Sequence, residues 1–272
     1  MLRQLEAANR FDPGAYAPLR HGPTRIGWVE PGFSRVLEGF PDAFRHADGS
    51  VYIVSAERLN AAARALAASG WITGWRNERY DVMPHAGGEV LFTLERAAFR
   101  RFGMQARTVH LNGWVRAGDA CKLWIARRCA TKPIDPGMLD NLVGGGIAAA
   151  STPLDTLLRE CAEEAAMEPE LARGAVPAGD MRVLHAVEGG VQDEIIHVYD
   201  LELPADFVPQ NRDGEVAEFM LLDPAKVAAL LEAAAFTVDA AAVSVDFLWR
   251  KGLLRQPGLG AALAALREWR TS

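Results

Sequence analysis

Residues 144–167, reading GGGIAAASTPLDTLLRECAEEAAM, constrain what this chain can fold into more than any other stretch. The segment reads as a glycine turn, Gly144-Gly145-Gly146, leading into a helix from Pro153 to Ala166, with Ser151 or Thr152 as N-cap and Pro153 in the first turn. At about 3.6 residues per turn, Glu160, Glu163 and Glu164 share one helical face. Three carboxylates on one face repel each other and gain nothing from pairing among themselves. A divalent cation removes that conflict, because hard cations such as Mg²⁺ take carboxylate oxygens. The glycines let the backbone approach a ligand closely, and the Gly144 carbonyl can turn toward the same ion.

Two adjacent glutamates alone describe a solvated acidic helix, but here they come with a fixed set of companions. Gly145, Arg159-Glu160, Cys161, Glu163-Glu164 and Met167 fall on the spacing Gly, thirteen residues, Arg-Glu, aliphatic, any, Glu-Glu, any two, aliphatic. The segment resembles the Nudix box, the signature of hydrolases that cleave a diphosphate linked to another moiety. Two positions depart from it: Ser151 stands where the first Glu of the box is expected, and Ala166 where its final Gly is expected. Ala at that last position costs little where the backbone is not left-handed.

The 272 residues suffice for two modest domains or one large one. A net charge of −6 argues against a binder of nucleic-acid backbone, but not against a small phosphorylated substrate whose charge a metal can meet locally. The N-terminus MLRQLEAANRFDPGAY lacks a signal-peptide core, and no apolar run approaches the roughly 20 residues of a membrane span. Cys121, Cys129 and Cys161 show neither metal-ligand spacing nor an even number for a disulfide framework, so a cytoplasmic location is the default.

The first 105 residues read as a small α+β domain. It begins with a short helix and Pro- and Gly-containing loops, followed by a helix over Phe33 to Leu37 and a strand over Val51 to Val54. A helix over Ala56 to Ser69, strands over Trp75 to Met83 and Glu89 to Leu94, and a helix over Glu95 to Phe102 complete it. Residues 106–272 then form the second domain. Thr108 to Leu111 and Lys122 to Ala126 flank a hairpin turn at Ala117-Gly118-Asp119, and Leu139 to Val143 runs into the glycines. Met181 to Val187 and Asp193 to Leu203 read as strands around Glu188-Gly189-Gly190, and Glu218 to Leu222 as another. Helices follow from Asp223 through Ala235 and from Val238 to Lys251, and the tail, Pro257 to Ser272, ends in a short amphipathic helix. Strands bracketing a glutamate-bearing helix suit the α/β/α sandwich with a mixed sheet that the resemblance implies.

Diphosphate cleavage needs a nucleophilic water, a metal to polarise phosphoryl oxygens and cations to hold the departing phosphate. Glu160, Glu163 and Glu164, with the Gly144 carbonyl, can hold Mg²⁺ or Mn²⁺, and one of these carboxylates can orient the water; ligand and base are not distinguished by sequence. Arg159 is placed to orient a neighbouring carboxylate, and Gly145 keeps the loop close to the helix. The resemblance implies a further glutamate from a later loop. In Gln210-Asn211-Arg212-Asp213-Gly214-Glu215 the candidate is Glu215, catalytic together with Glu160 and Glu163, with Glu218 as runner-up. Arg128 and Lys132 follow a strand whose end adjoins the box loop in such a sandwich, and are the candidate phosphate-binding residues. Cys129 reads as a packed residue rather than a nucleophile, and His110 and His197 as hydrogen-bonded strand residues.

Further stretches resemble one Nudix subgroup, plant proteins and fungal counterparts related to thiamine pyrophosphokinase. They are Trp75-Arg76-Asn77-Glu78-Arg79-Tyr80, Glu95-Arg96-Ala97-Ala98 with Phe102-Gly103, His110-Leu111-Asn112-Gly113, Ala126-Arg127-Arg128, Pro136 through Asn141, and Asp246-Phe247-Leu248. In that subgroup a small domain precedes the Nudix domain, and Ser at the Ser151 position is subgroup character. The resemblance implies a diphosphatase acting on thiamine diphosphate or its damaged oxo and oxy analogues. Other small-molecule diphosphates (a nucleotide sugar, a nucleoside diphosphate derivative, an isoprenoid) and a non-hydrolytic ligand sensor are the alternatives. Trp75, Tyr80, Trp114 and Trp124 can stack on a heterocycle, though large aromatics more often fill cores. The first domain either walls the substrate pocket or mediates a homodimer.

Overall fold

The computed structural model describes residues 1–85, 87–118, 120–132 and 134–268. After helix α1 (Leu2–Ala8), strands β1 (Ala17–His21) and β2 (Thr24–Val29) form a hairpin where the sequence suggested only loops. Its alternation, with Leu19, Ile26 and Val29 buried, is masked by Pro18, Gly22, Pro23 and Gly27. Helix α2 (Pro31–Leu37) buries Phe33 and Leu37, and β3 (Phe44–Ala47) pairs with β4 (Ser50–Ile53) through Asp48 and Gly49. Both turn residues have positive φ, 50° and 70°, as a two-residue hairpin turn that matches strand twist requires. Helix α3 (Ala56–Ala68) is capped by the Ser55 hydroxyl and lays Leu59, Ala62, Ala63 and Leu66 on a four-stranded sheet ordered β2-β1-β4-β3.

Strand β5 (Arg79–Val82) pairs with β6 (Phe92–Glu95), and α4 (Arg96–Phe102) ends at left-handed Gly103. The β5 strand is shorter than the expected Trp75 to Met83 because Asn77, at φ 60°, breaks the extended run.

The second unit is built on a mixed sheet. Strand β7 (Gln105–Ala117) turns back into β8 (Ala120–Arg128), with Asp119 of the expected turn outside the described residues. Two short strands, β9 (Leu139–Asp140) and β10 (Val143–Gly146), replace the single strand expected over Leu139 to Val143. The glycines are therefore sheet rather than turn: Gly144, Gly145 and Gly146 pair with His110, Val109 and Thr108 of β7. Helices α5 (Pro153–Ala165) and α6 (Pro169–Ala172) follow, then the long strands β11 (Val176–Val187) and β12 (Gly190–Leu203), and β13 (Val216–Leu222). The main order is β11-β12-β7-β8-β13, with β10 beside β7 and β9 beside β8. The β12–β7 pairing is parallel and the others in this sheet are antiparallel.

Helices α7 (Pro224–Glu232), α8 (Val238–Arg250) and α9 (Leu259–Arg267) close the chain, and residues 269–272 of the expected tail lie outside the described residues. One sheet face buries Val109 and Leu111 against Leu157, Cys161 and Ala165 of α5. The other buries Trp114, Ile196 and Val198 against Phe247 and the alanines of α8, joined by Leu5 and Ala8 of α1. This is an α/β/α sandwich preceded by a small α+β unit. Among the described residues no helix is long and apolar enough to cross a membrane.

Helix α5 starts with a reciprocal cap. Thr152 accepts from Asp155 N at 3.1 Å, and Asp155 accepts from Thr152 N at 3.2 Å. It ends on the backbone conformation in which Ala in place of Gly is costly. Ala166 is left-handed, φ 51° and ψ 34°, so its Cβ is strained against its own carbonyl where Gly would not be. Replacing it with Gly relieves that strain. Ala166→Gly is expected to raise stability by about 1 kcal/mol, read as a shift of the urea unfolding midpoint at unchanged slope.

Candidate active site

The site begins where α5 lies against the glycine strand. A Cβ on Gly145 would overlap the Glu160 carboxyl, and one on Gly146 would overlap the Tyr80 phenol oxygen, so both positions exclude any side chain. The Gly144 N–H donates to Glu164 Oε2 at 3.0 Å, tying the end of the sheet to the helix. Glu160 and Glu164 therefore point inward and are buried, whereas Glu163 is exposed on the flank. Arg159 bridges two of the three, with Nη2 2.8 Å from Glu160 Oε1 and Nη1 3.0 Å from Glu163 Oε2.

The last turn of a helix leaves carbonyls without intrahelical partners. Here the loop before β13 supplies them: Arg212 N donates to Glu163 O at 3.0 Å and Gln210 N to Ala165 O at 3.1 Å. That docking brings Asp213 and Glu215 to Glu164. One carboxylate oxygen from each of the three lies within 4.8 Å of the others. Within the loop, Asp213 accepts from Glu215 N at 2.8 Å and Asn211 accepts from Gly214 N at 3.0 Å. Glu160 and Glu163 are not part of this trio.

The cations gather around Glu215, which pairs with Lys132 through one oxygen and with Arg76 Nη1 through the other, at 3.0 Å for Arg76. Arg128 lies beside them but is engaged: Nη1 donates to Asp140 at 2.9 Å, and Nε and Nη2 donate to the Ile134 carbonyl. A cleft lined by Arg128, Lys132, Asp140, Asn141, Glu164 and Glu215 results. Behind it, Asn141 Oδ1 accepts from His110 Nδ1 at 2.8 Å, and Asn141 Nδ2 donates to Asn112 and Ser244 at 3.2 and 3.0 Å. Asn112 continues to Asp200, which Arg250 links to Asp246 of α8. A polar ladder, buried at Asn141 and Asn112 and reaching the surface at Arg250, thus connects the cleft to the far helix layer.

Sequence reasoning passed over Asp213, Arg76, Asp140 and Asn141. Asp213 sits in the loop singled out for Glu215, and the other three sit in stretches noted only for their resemblance. His197 Nδ1 donates to Asp180 Oδ1, 2.8 Å away, so both strand histidines are hydrogen-bonded as expected. Of the four aromatics, Tyr80 reaches the site beneath Gly146, whereas Trp114 packs on Phe247 in the core.

Residues 108–242 match the NUDIX domain, and residues 1–106 match a domain of unknown function, DUF4743. Nudix hydrolase 24, chloroplastic, of Arabidopsis thaliana is 35% identical over 246 residues, covering 86% of this chain and 67% of that protein. Nudix hydrolase 20, chloroplastic, of the same plant is 35% identical over 253 residues, 86% of this chain and 68% of that protein. The chain belongs to the Nudix hydrolase family. The crystal structure of DR0079 from Deinococcus radiodurans aligns with this Nudix hydrolase over 61% of its length and 97% of the other chain, at 25% identity and a TM-score of 0.48.

Nudix hydrolases generally use divalent metals, and the donors of this one fit such an ion. All three members of the trio are carboxylates, the oxygen set that hard cations take. The charge state fits as well. Burial, opposed by Arg159 and reinforced by Glu163 and Glu215, pushes the Glu160 carboxyl up to about 7. Burial and the Glu160 charge push Glu164 well above the ordinary carboxylate range. Burial acts on Glu215 in the same direction, but Lys132 and Arg76 outweigh it and hold that carboxyl below its ordinary value. Without a cation, the two buried box carboxyls are therefore held toward their protonated forms, and a divalent cation would take the place of those protons.

The sign of the resulting pH dependence follows. Between the ordinary Glu range and about pH 7, folded Glu160 keeps a proton that the unfolded chain has released. Its contribution to stability is complete below that range and is lost as pH rises through about 7. In chelator, urea unfolding is expected to give lower stability at about pH 7.5 than at about pH 5. A saturating divalent cation should flatten that slope, and Glu160→Gln should reduce it, leaving the part that Glu164 contributes with the same sign.

Proposed function

We propose that this Nudix hydrolase is a Mg²⁺- or Mn²⁺-dependent diphosphatase that releases phosphate from thiamine diphosphate or its damaged oxo and oxy analogues. The observation that carries the reading is the convergence of Glu164, Asp213 and Glu215 within 4.8 Å, directly beside Lys132 and Arg76. Carboxylates for a cation next to cations for a phosphate are the two halves a diphosphate requires. A bound cation would supply polarised phosphoryl oxygens and a water acidic enough to attack phosphorus.

In this proposal Glu164, Asp213 and Glu215 hold the cation, with Glu160, Glu163 and the Gly144 carbonyl as the remaining ligand candidates. Glu160 is also the candidate base: its carboxyl, held at about 7 by burial, can take a proton from the attacking water near neutral pH. Arg159 orients it through the 2.8 Å contact. Lys132 binds phosphate as a point charge. Arg128 is tied to Asp140 and Ile134, so it contributes by shaping the cleft unless substrate displaces Asp140.

The thiamine assignment draws support from where the subgroup-like stretches meet. Trp75 through Tyr80 brings Arg76 and Tyr80 to the site, Pro136 through Asn141 lines the cleft, and His110, Asn112 and Asp246 form the ladder behind it.

The test follows phosphate release from thiamine diphosphate, oxythiamine diphosphate, nucleotide sugars, nucleoside di- and triphosphates and an isoprenoid diphosphate, with and without chelator. Cation-dependent release from the two thiamine compounds is expected. Loss of a residue that only orients a metal ligand costs about 10- to 100-fold in metal affinity or activity. Glu164→Gln should therefore reduce release at least about a hundredfold. Turnover confined to nucleotides would sink the thiamine assignment. A Glu163→Gln, Glu164→Gln double variant that keeps ligand affinity, in a protein with no turnover, would identify a sensor.

A further inference from the structure

The N-terminal unit is fastened to the Nudix box at several points. Ala149 N, just after the glycine strand, donates to the Arg79 carbonyl at 2.7 Å, and Ala150 N donates to Asp81 Oδ2 at 3.2 Å. Arg107 at the start of β7 reaches the same Asp81 oxygen at 3.3 Å. Tyr80, between them, fills the space that a side chain on Gly146 would need, and stands edge-on to Phe99. Arg76 lies just before this seam. Its backbone N–H donates to buried Glu95 at 3.0 Å, and its guanidinium crosses to Glu215. The neighbouring Arg96 is already committed to Glu78 at 2.5 Å. Arg76 thus carries a cation of the N-terminal unit to Glu215 at the cleft, and its side chain remains 40% exposed.

As a stability device this contact makes little sense, since ion pairs between partly exposed side chains are worth about 0–1 kcal/mol. As part of a binding site it does. Glu215 is claimed twice, by Arg76 and Lys132 on one side and by the carboxylate trio on the other. A divalent cation drawn to Glu164, Asp213 and Glu215 competes with the two basic residues for the Glu215 carboxylate. Every step of Glu215 toward the cation frees donors on Arg76 and Lys132. A guanidinium so freed matches the geometry of phosphate oxygens bidentately.

We propose that Arg76, supplied by the N-terminal unit, is a phosphate-binding residue of the Nudix site, masked by Glu215 until a divalent cation draws that carboxylate away. The proposal rests on the hydrolytic reading of the cleft and adds to it an order of binding, cation before diphosphate. It also gives the N-terminal unit a chemical role, completion of the phosphate subsite. Because coupling between two ligands is reciprocal, diphosphate tightens the cation to the same degree.

The test uses the full chain and calorimetric titration with Mn²⁺ alone, then with imidodiphosphate at saturating Mn²⁺, an analogue that is not cleaved. Arg76→Ala removes the competitor for Glu215, so Mn²⁺ alone should bind as tightly as to the unsubstituted protein or more tightly. Imidodiphosphate should bind about tenfold more weakly, the worth of one charge-assisted contact. Arg76→Lys should recover part of that loss. The proposal is overturned if imidodiphosphate binds Arg76→Ala within about twofold of the unsubstituted protein. It is equally overturned if Mn²⁺ and imidodiphosphate affinities fall together, the mark of a residue that only positions Glu215 for the metal. Glu164→Gln reports separately on the underlying site: unchanged Mn²⁺ affinity there would refute the cation assignment, while the Arg76 comparison would still decide the phosphate contact.

Discussion

Everything at this site depends on the close approach of α5 to the glycine strand β10. Three glycines give the strand a surface without side chains, so the helix can lie close enough for Glu160 to occupy the place of a Cβ on Gly145. At that distance the Gly144 N–H reaches Glu164. Burying two carboxylates side by side is costly without compensation. The fold tolerates it because Arg159 reaches one, a backbone donor reaches the other, and burial favours the protonated form of both.

The second constraint is the C-terminal end of the same helix. Its free carbonyls, at Glu163 and Ala165, dock the loop that carries Asp213 and Glu215. One helix therefore organises both halves of the acidic cluster: its buried face supplies Glu164, and its terminus captures the loop. At that terminus left-handed Ala166 turns the chain so that Met167 N donates to the Cys161 carbonyl at 2.9 Å, closing the helix in a conformation that alanine disfavours. The N-terminal unit enters the same arrangement from the opposite side, through the seam at Arg79 and Asp81 and the Arg76–Glu215 pair.

Much of the architecture was legible in the chain. Helix α5, the long strands β11 and β12 and helix α8 follow from periodicity, and the box spacing points to the Nudix sandwich. Local signals failed where tertiary context overrides them. Gly144 to Gly146 read as a turn because glycine is a poor strand former, yet they pair with β7, since only residues without side chains fit beneath α5 and above Tyr80. The β1–β2 hairpin was hidden by prolines and glycines that edge positions and a tight turn accommodate.

By itself the sequence determined the family and the residue types of the site, because the identity and spacing of Gly145, Arg159, Glu160, Glu163 and Glu164 are properties of one short segment. Only the tertiary structure decided which carboxylates meet and which cations face them. It separated Glu163 on the exposed flank from Glu164 at the centre, joined Glu164 to Asp213 and Glu215, and brought Arg76 across 139 positions of chain to Glu215. The reason is physical: spacing along a helix specifies direction, whereas convergence of a helix, a loop and a second unit is set by packing and by backbone groups that must find partners.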